Sequence, residues 1–185
     1  EEVYNLEDAL VCAQYLNAFI RRADVVKIAC IAQLVNIIAP LLTRRDGLLV
    51  QSTYYPFVIM AGLARGRSLT PVLDCPTYDA GERGEAPVLD VSANLADDGT
   101  LAVFAVNRSQ TEPLSVHVHL ADASVQSVRK VTVLTGPGPK AANSWEEPSL
   151  IVPSDGTGMA TDDGDAVFTV PALGFAAMEC STARR

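Results

Sequence analysis

The sequence changes character near Arg67, and this change limits what the chain can fold into. Residues 1–67 carry seven basic and six acidic residues and only two of the 11 prolines. Residues 68–185 carry seven basic and 16 acidic residues and are rich in Pro, Gly, Thr and Val. Apolar residues recur at helical spacing before the break and in short alternating runs after it. The sequence therefore predicts two structural units, 1–67 and 68–185.

The first unit is predicted to begin with two helices. Asn5 is a good N-cap residue and Asp8 stands three positions later, as in a capping box, so the first helix should begin here. A second helix is predicted from Asp24 to Ala39, because apolar residues recur at helical spacing. Pro40 disfavours helical geometry at the residue before it, so this helix should end at Ala39.

A buried strand and a further helix are expected to complete the first unit. Residues 48–53 form a short apolar run that is typical of a strand covered on both faces, as in a parallel sheet. Residues 54–64 then predict a helix that closes near Gly66. Because one strand cannot form a sheet, residues 1–67 indicate the end of a larger α/β domain.

The second unit is predicted to be all β. Polar and apolar residues alternate in several runs, and Asp97-Asp98-Gly99 is typical of a hairpin turn between two of them. A long loop carries the only tryptophan, Trp145. The predicted strands span residues 88–95, 100–107, 114–120, 128–134, 166–170 and 174–179. Short strands separated by such turns indicate an antiparallel β-sandwich with a core of its own.

Composition excludes several classes of partner. With 14 Lys+Arg against 22 Asp+Glu, the net charge is −8, so no nucleic-acid partner is expected. Residues 25–42 are mostly apolar, but Lys27, Gln33 and Asn36 interrupt them, whereas a membrane-spanning helix needs about 20 predominantly apolar residues. No membrane partner is therefore expected. The four cysteines form no CxxC pair, and the sequence contains no secretory signal, so we expect a cytoplasmic protein.

A search for catalytic and metal-binding motifs finds nothing complete. The sequence contains no GxSxG, HExxH or phosphate-binding glycine loop. His117 and His119 share one strand face and could hold a metal, but no third ligand lies near them in sequence, and we interpret them as a solvated face. Residues 162–165 lack the spacing and closing Glu of a calcium loop. From the residues alone we assign no catalytic residue, no metal site and no cofactor.

Three longer stretches carry a resemblance to a known family. Residues 4–17, 27–40 and 51–57 have the sequences YNLEDALVCAQYLN, KIACIAQLVNIIAP and QSTYYPF. These stretches resemble the α-L-arabinofuranosidases of glycoside hydrolase family 51. Weaker similarity follows in the same order at residues 76–79, 88–93, 104–109 and 140–146.

The resemblance implies a C-terminal fragment. Residues 1–67 would be the last helices and last strand of a (β/α)8 TIM barrel, and residues 68–185 a jelly-roll-like antiparallel β-sandwich domain. The implied activity is retaining, exo-acting release of terminal L-arabinofuranose from hemicellulose or oligosaccharides by a homo-oligomer, often a hexamer. Both catalytic Glu residues of the family lie on earlier barrel strands, so the chain alone is expected to be inactive.

The resemblance carries over one site residue, Gln51. At the predicted end of the last barrel strand, it resembles the family Gln that hydrogen-bonds the arabinofuranosyl ring. Active sites lie at the C-terminal ends of barrel strands, and an amide can both donate to and accept from a sugar. The alternative is an ordinary strand-end amide that caps the next helix.

Two further expectations remain open. The alternative function is a non-catalytic β-sandwich module that binds carbohydrate or partner chains, but its usual row of exposed aromatics is not visible with aromatic residues at 6%. Residues 1–67 are expected to expose apolar faces that cause self-association, whereas a chain beginning near Ser68 should be more soluble.

Overall fold

The structure, a computed structural model, describes residues 2–184, which form two α-helices and thirteen β-strands. The first elements are α1 (Leu6–Arg21), β1 (Leu41–Arg44), β2 (Gly47–Val50), α2 (Tyr54–Leu63) and β3 (Arg67–Leu69). The remaining strands are β4 (Thr77–Asp79), β5 (Glu85–Pro87), β6 (Leu89–Leu95), β7 (Thr100–Asn107), β8 (Leu114–Val118), β9 (Ala123–Leu134), β10 (Ser154–Asp155), β11 (Ala160–Asp162), β12 (Asp165–Val170) and β13 (Gly174–Arg184). Neither helix in this part of the chain is long and apolar enough to cross a membrane.

Most of the regular structure is antiparallel β-sheet, as expected for residues 68–185. The large sheet has the strand order β10-β9-β13-β7-β6-β3, and the small sheet has the order β11-β12-β8. Apolar side chains from both sheets form one core between them. Its fully buried members are Leu101, Ala105, Ala166, Phe168, Val170, Ala176, Met178 and Cys180. Strands β9 and β13 exceed their predicted lengths because they pair with each other from Phe175↔Leu134 to Arg184↔Ala123.

Helices α1 and α2 cover the other face of the large sheet. Helix α1 begins as predicted, because Asn5 Oδ1 accepts a hydrogen bond from the Asp8 N–H at 3.2 Å and Asp8 Oδ2 accepts one from the Asn5 N–H at 2.9 Å. Leu6 and Leu10 of α1 and Met60 of α2 are buried against the sheet. The sheet residues beneath the helices are Ala102, Phe104, Val106, Leu134, Phe175 and Ala177. The helices and the large sheet therefore share a second core.

The helix predicted from Asp24 to Ala39 is absent, so this prediction is wrong. Apart from a turn at residues 22–25 and an isolated bridge from Val35 to Leu41, residues 22–40 contain no regular structure. Between residues 27 and 34, no backbone group bonds to another backbone group of residues 2–184. The segment is rich in Val and Ile, which helices disfavour, and its apolar spacing also suits a buried strand.

The strand predicted at residues 48–53 forms in part, but it is not the expected kind. Strand β2 pairs antiparallel with β1 around a two-residue turn, so these strands are a hairpin and not part of a parallel sheet. Leu48 is 57% exposed and Leu49 is 2% exposed, so only one face is covered. Helix α2 forms as predicted and ends before Gly66, which has a φ of +76°. A Cβ at Gly66 would lie 2.2 Å from the Leu95 carbonyl oxygen, which explains the glycine.

Candidate functional site

Gln51, the predicted sugar-binding residue, lies directly after β2 and is 1% exposed. Its Oε1 accepts a hydrogen bond from the Tyr4 N–H at 2.9 Å. Its Nε2 donates to the carbonyl oxygens of Ala39 at 2.7 Å and Glu2 at 3.2 Å. Both donors of the amide are therefore engaged by backbone groups, and one lone pair of Oε1 is left for a further donor.

Through these hydrogen bonds Gln51 links three segments of the chain. These segments are the residues before α1, the residues before β1 and the end of β2. The next residue strengthens the link between the end of β2 and the start of α1, because Ser52 Oγ donates to the carbonyl oxygens of Asn5 at 2.5 Å and Tyr4 at 3.1 Å. Removing the amide would leave buried backbone groups unpaired, at a cost of about 1–3 kcal/mol. Direct contact between Gln51 and a sugar stays a prediction.

The long loop between β9 and β10 reaches the same region from the β part of the chain. Asn143 in this loop is 2% exposed, and its Nδ2 donates to the carbonyl oxygens of Val50 and Ile151, each at 2.9 Å. Its Oδ1 accepts a hydrogen bond from the Ile151 N–H at 2.7 Å. The N–H of Leu6, in the first turn of α1, donates to the Ala141 carbonyl at 2.8 Å. The loop thus binds both the end of β2 and the start of α1.

Trp145 packs against the β1–β2 hairpin. The guanidinium carbon of Arg44 lies 4.2 Å from the centroid of the indole ring, a cation–π contact. A Cβ at Gly47 would lie 3.2 Å from Cζ3 of the ring, so glycine allows this close approach. Because the ring is half-buried and its face is covered by Arg44, Trp145 does not form the exposed stacking platform that a carbohydrate-binding module would use.

A buried polar network joins α1 to β6, and no sequence motif predicts it. Asp90 is 9% exposed and accepts hydrogen bonds from Asn17 at 2.8 Å, Arg21 at 3.1 Å and Arg108 at 3.0 Å. Ser92 Oγ donates to Asn17 Oδ1 at 2.6 Å. One carboxylate therefore compensates two guanidinium groups beneath the helix. Polar residues at alternate positions of a buried strand were the only available signal.

Other reactive side chains do not assemble into a site. His119 Nδ1 lies 2.8 Å from Asp165 Oδ1, but residues 2–184 contain no group of three or more metal-type ligands around it or His117. Burial raises the pKa of the Cys12 and Cys180 thiols to about 11. Both thiols are therefore protonated near neutral pH and are poor nucleophiles.

Comparisons with known proteins agree with this architecture. The family described as the α-L-arabinofuranosidase C-terminal domain matches residues 1–173. The chain is 36% identical over 182 residues to an intracellular exo-α-(1→5)-L-arabinofuranosidase of Streptomyces lividans, covering 98% of this chain and 28% of that protein. It is 32% identical over 173 residues to intracellular exo-α-(1→5)-L-arabinofuranosidase 1 of Bacillus subtilis (strain 168), covering 92% of this chain and 34% of that protein.

A solved structure extends the similarity to the fold. AbfB, a family 51 α-L-arabinofuranosidase from Bifidobacterium longum, matches with a TM-score of 0.87 and 28% identity, covering 97% of this chain and 36% of that chain. The present chain thus spans only about a third of the length of its relatives. The resemblance inferred from the sequence is confirmed by these matches. The chain belongs to the family of α-L-arabinofuranosidase C-terminal domains, which occurs in enzymes of glycoside hydrolase family 51.

Proposed function

We propose that this chain functions as the C-terminal part of an exo-acting α-L-arabinofuranosidase that releases terminal L-arabinofuranose from arabinose-containing hemicellulose or oligosaccharides. The observation that carries the proposal is the match to an exo-arabinofuranosidase over 98% of the chain. The half-buried position of Trp145 argues against the alternative, an independent carbohydrate-binding module. A retaining mechanism needs two carboxyl groups about 5–5.5 Å apart. We assign neither to this chain and expect both from a preceding segment of a longer protein.

Within this proposal, residues 1–67 belong to the end of a (β/α)8 barrel and residues 68–185 to a jelly-roll-like sandwich domain. The barrel strand is best assigned to residues 26–31, since β2 belongs to a hairpin. Residues 26–31 lie between α1 and α2 and are rich in β-branched residues. The unbonded backbone of residues 27–31 is the expected state of a parallel strand whose neighbours belong to a preceding segment.

Exposed apolar side chains support the same assignment. Ile28 is 83% exposed, Ile37 61% and Leu34 56%, and residues 28–43 carry no charged side chain. Isolated exposed apolar residues are normal, but several of them along one uncharged segment indicate an apolar patch that another surface covers. We propose that the preceding barrel segment covers this patch.

The compartment and the assembly state are also proposals. Both relatives compared above are named as intracellular enzymes, which supports a cytoplasmic location for the whole protein. The resemblance to family 51 suggests a homo-oligomer, with a hexamer as the form to test. Sedimentation of the whole protein would decide the number of subunits.

Hydrolysis of an aryl α-L-arabinofuranoside tests the proposed activity. We expect turnover by the protein with its preceding segment and none by residues 1–185 alone. For the protein with its preceding segment, a matched assay with an aryl β-D-xyloside should give a much lower rate. Turnover by residues 1–185 above the level of a mock purification would contradict the absence of the catalytic pair, and an inactive longer protein would contradict the proposed function.

A further inference from the structure

If residues 26–31 are a barrel strand, residues 32–53 form the connection that follows this strand. This inference rests on the proposed function. Four residues in a turn connect α1 to the proposed strand, whereas 22 residues, 32–53, connect the strand to α2. In βα barrels the loops that follow the strands build the active-site face. The β1–β2 hairpin and Gln51 therefore lie on that face.

The sandwich domain holds this loop at two points. Asn143 donates to the carbonyl oxygen of Val50, the residue directly before Gln51. Trp145 packs on Gly47 and Arg44 at the other end of β2. The hairpin is otherwise a two-stranded ribbon with an exposed Leu48, a kind of structure that is marginally stable by itself.

We propose that Asn143 is a positioning residue for the arabinofuranosidase reaction, and that Trp145 assists it. Asn143 does not touch the reacting atoms. Its amide fixes the backbone at Val50, and through it the βα loop that forms one wall of the sugar pocket. The sandwich domain thereby takes part in shaping the active site, in addition to stabilising the chain. Misplacing such a wall by about 1 Å is enough to lower a rate by as much as a hundredfold.

Three substitutions in the longer protein separate positioning from folding. Asn143→Ala removes the bond to Val50 together with the two bonds to Ile151. Gly47→Ala pushes a methyl group toward the Trp145 ring, and Gly138→Ala is the control. A Cβ at Gly138 has no atom within 4 Å, and this residue lies in the same loop as Asn143. At a temperature where circular dichroism finds every variant folded, Asn143→Ala should lower kcat/KM by about tenfold or more. Gly47→Ala should lower it about threefold, and Gly138→Ala should leave it within about twofold.

Hydrogen exchange supplies a readout that does not depend on activity. Asn143→Ala should speed amide exchange in residues 41–50 by about tenfold, and Gly138→Ala should not. Faster exchange together with a changed KM or kcat supports the proposal. Faster exchange with an unchanged KM and kcat overturns it, because Asn143 would then be structural only, and unchanged exchange overturns it as well. An unmodified longer protein without activity on the arabinofuranoside would overturn the proposed function, and the exchange result would still report whether Asn143 holds the hairpin.

Discussion

The two parts of the chain bury their apolar side chains to different degrees. In the β part, Phe104, Phe168 and Phe175 are all fully buried between layers that the chain itself provides. In the first part, Ile28 and Val25 are mostly exposed, and residues 27–34 make no backbone–backbone hydrogen bonds to the described residues. The difference shows that the same chain contains a closed core and a segment of exposed apolar side chains, which we propose to be one face of an interface. Apolar sequence alone does not distinguish these cases.

Helix α1 belongs to both regions, which is the less expected result. Its inner side is buried on the large sheet, while Tyr15 on its outer side is 63% exposed. A β-sandwich with a helix sealing its outer face depends on that helix for stability. The composition break at residue 67 therefore does not mark a point where the chain can be cut without cost.

The largest predicted effect is that of deleting residues 1–67. The deletion exposes Phe104, Phe175 and Leu134, all fully buried in the intact chain, and each side chain contributes about 1.5–3 kcal/mol when buried. A chain beginning at Ser68 should self-associate and melt without a cooperative transition, in contrast to the solubility expected from sequence. Size-exclusion chromatography and near-UV circular dichroism at matched concentration test this. A monodisperse, cooperatively melting chain of residues 68–185 would contradict it.

The next largest effect is predicted for the buried network at the α1–β6 contact. Asp90→Ala leaves the guanidinium groups of Arg21 and Arg108 without their shared carboxylate, which should cost about 3–5 kcal/mol of unfolding free energy. The control is Asp24→Ala, which removes an ion pair with Arg22 that is open to solvent. That control should not shift the denaturant midpoint measurably. Equal shifts for the two variants would mean that the network adds nothing to the docking of α1.

Ile28 tests whether the exposed segment is an interface. In residues 1–185 the side chain is 83% exposed, so Ile28→Ala should leave Tm unchanged and reduce self-association. In the longer protein the side chain should be buried, and the same change should cost about 2–5 kcal/mol. Ile151→Ala is the matched control. Because Ile151 is fully buried, this substitution should destabilise both residues 1–185 and the longer protein. An unchanged Tm of the longer protein with Ile28→Ala would contradict the assignment of residues 26–31 to the barrel.

Gln51 is predicted to have a smaller effect, and it acts on activity as well as stability. In the longer protein Gln51→Ala should reduce kcat/KM by an amount equivalent to about 1–3 kcal/mol. If the amide contacts the sugar, arabinose binding should weaken even where the variant is fully folded. If the amide only links the chain segments at Tyr4 and Ala39 by hydrogen bonds, the kinetic loss should be accompanied by a lower stability and by faster amide hydrogen exchange around these residues. An unchanged kcat/KM in folded enzyme would exclude Gln51 from the site.

The sequence predicted the β part well because its signals are local. Alternation with period two and the Asp-Gly turn at Gly99, which has a φ of +80°, determine the β6–β7 hairpin without reference to the rest of the fold. The capping box at Asn5 and Asp8 is equally local. The resemblance to a known family supplied what these patterns do not contain, namely the order of the parts and the implied activity.

The errors lie where distant partners decide the conformation. Residues 24–39 have the apolar spacing of a helix, but under our proposal their conformation depends on neighbouring strands of a preceding segment. The role of Asn143 depends on a contact with Val50, 93 positions away, and no local pattern encodes it. Gln51 was found through its place in a motif, yet its bonds to Tyr4 and Ala39 could be seen only in three dimensions.

The smallest predicted effect concerns the start of α1, where the capping box lies next to the core that the helices share with the large sheet. Asn5→Ala removes the side-chain acceptor for the Asp8 N–H and should lower the unfolding free energy by about 1 kcal/mol. Asn5→Ser keeps an acceptor at the N-cap and should cost only a few tenths of that amount. Chemical denaturation of both variants measures the difference. Because α1 seals the large sheet, the loss should appear as a shift of the single cooperative transition. A separate early transition for α1 would contradict the shared core and restore the picture of two independent units.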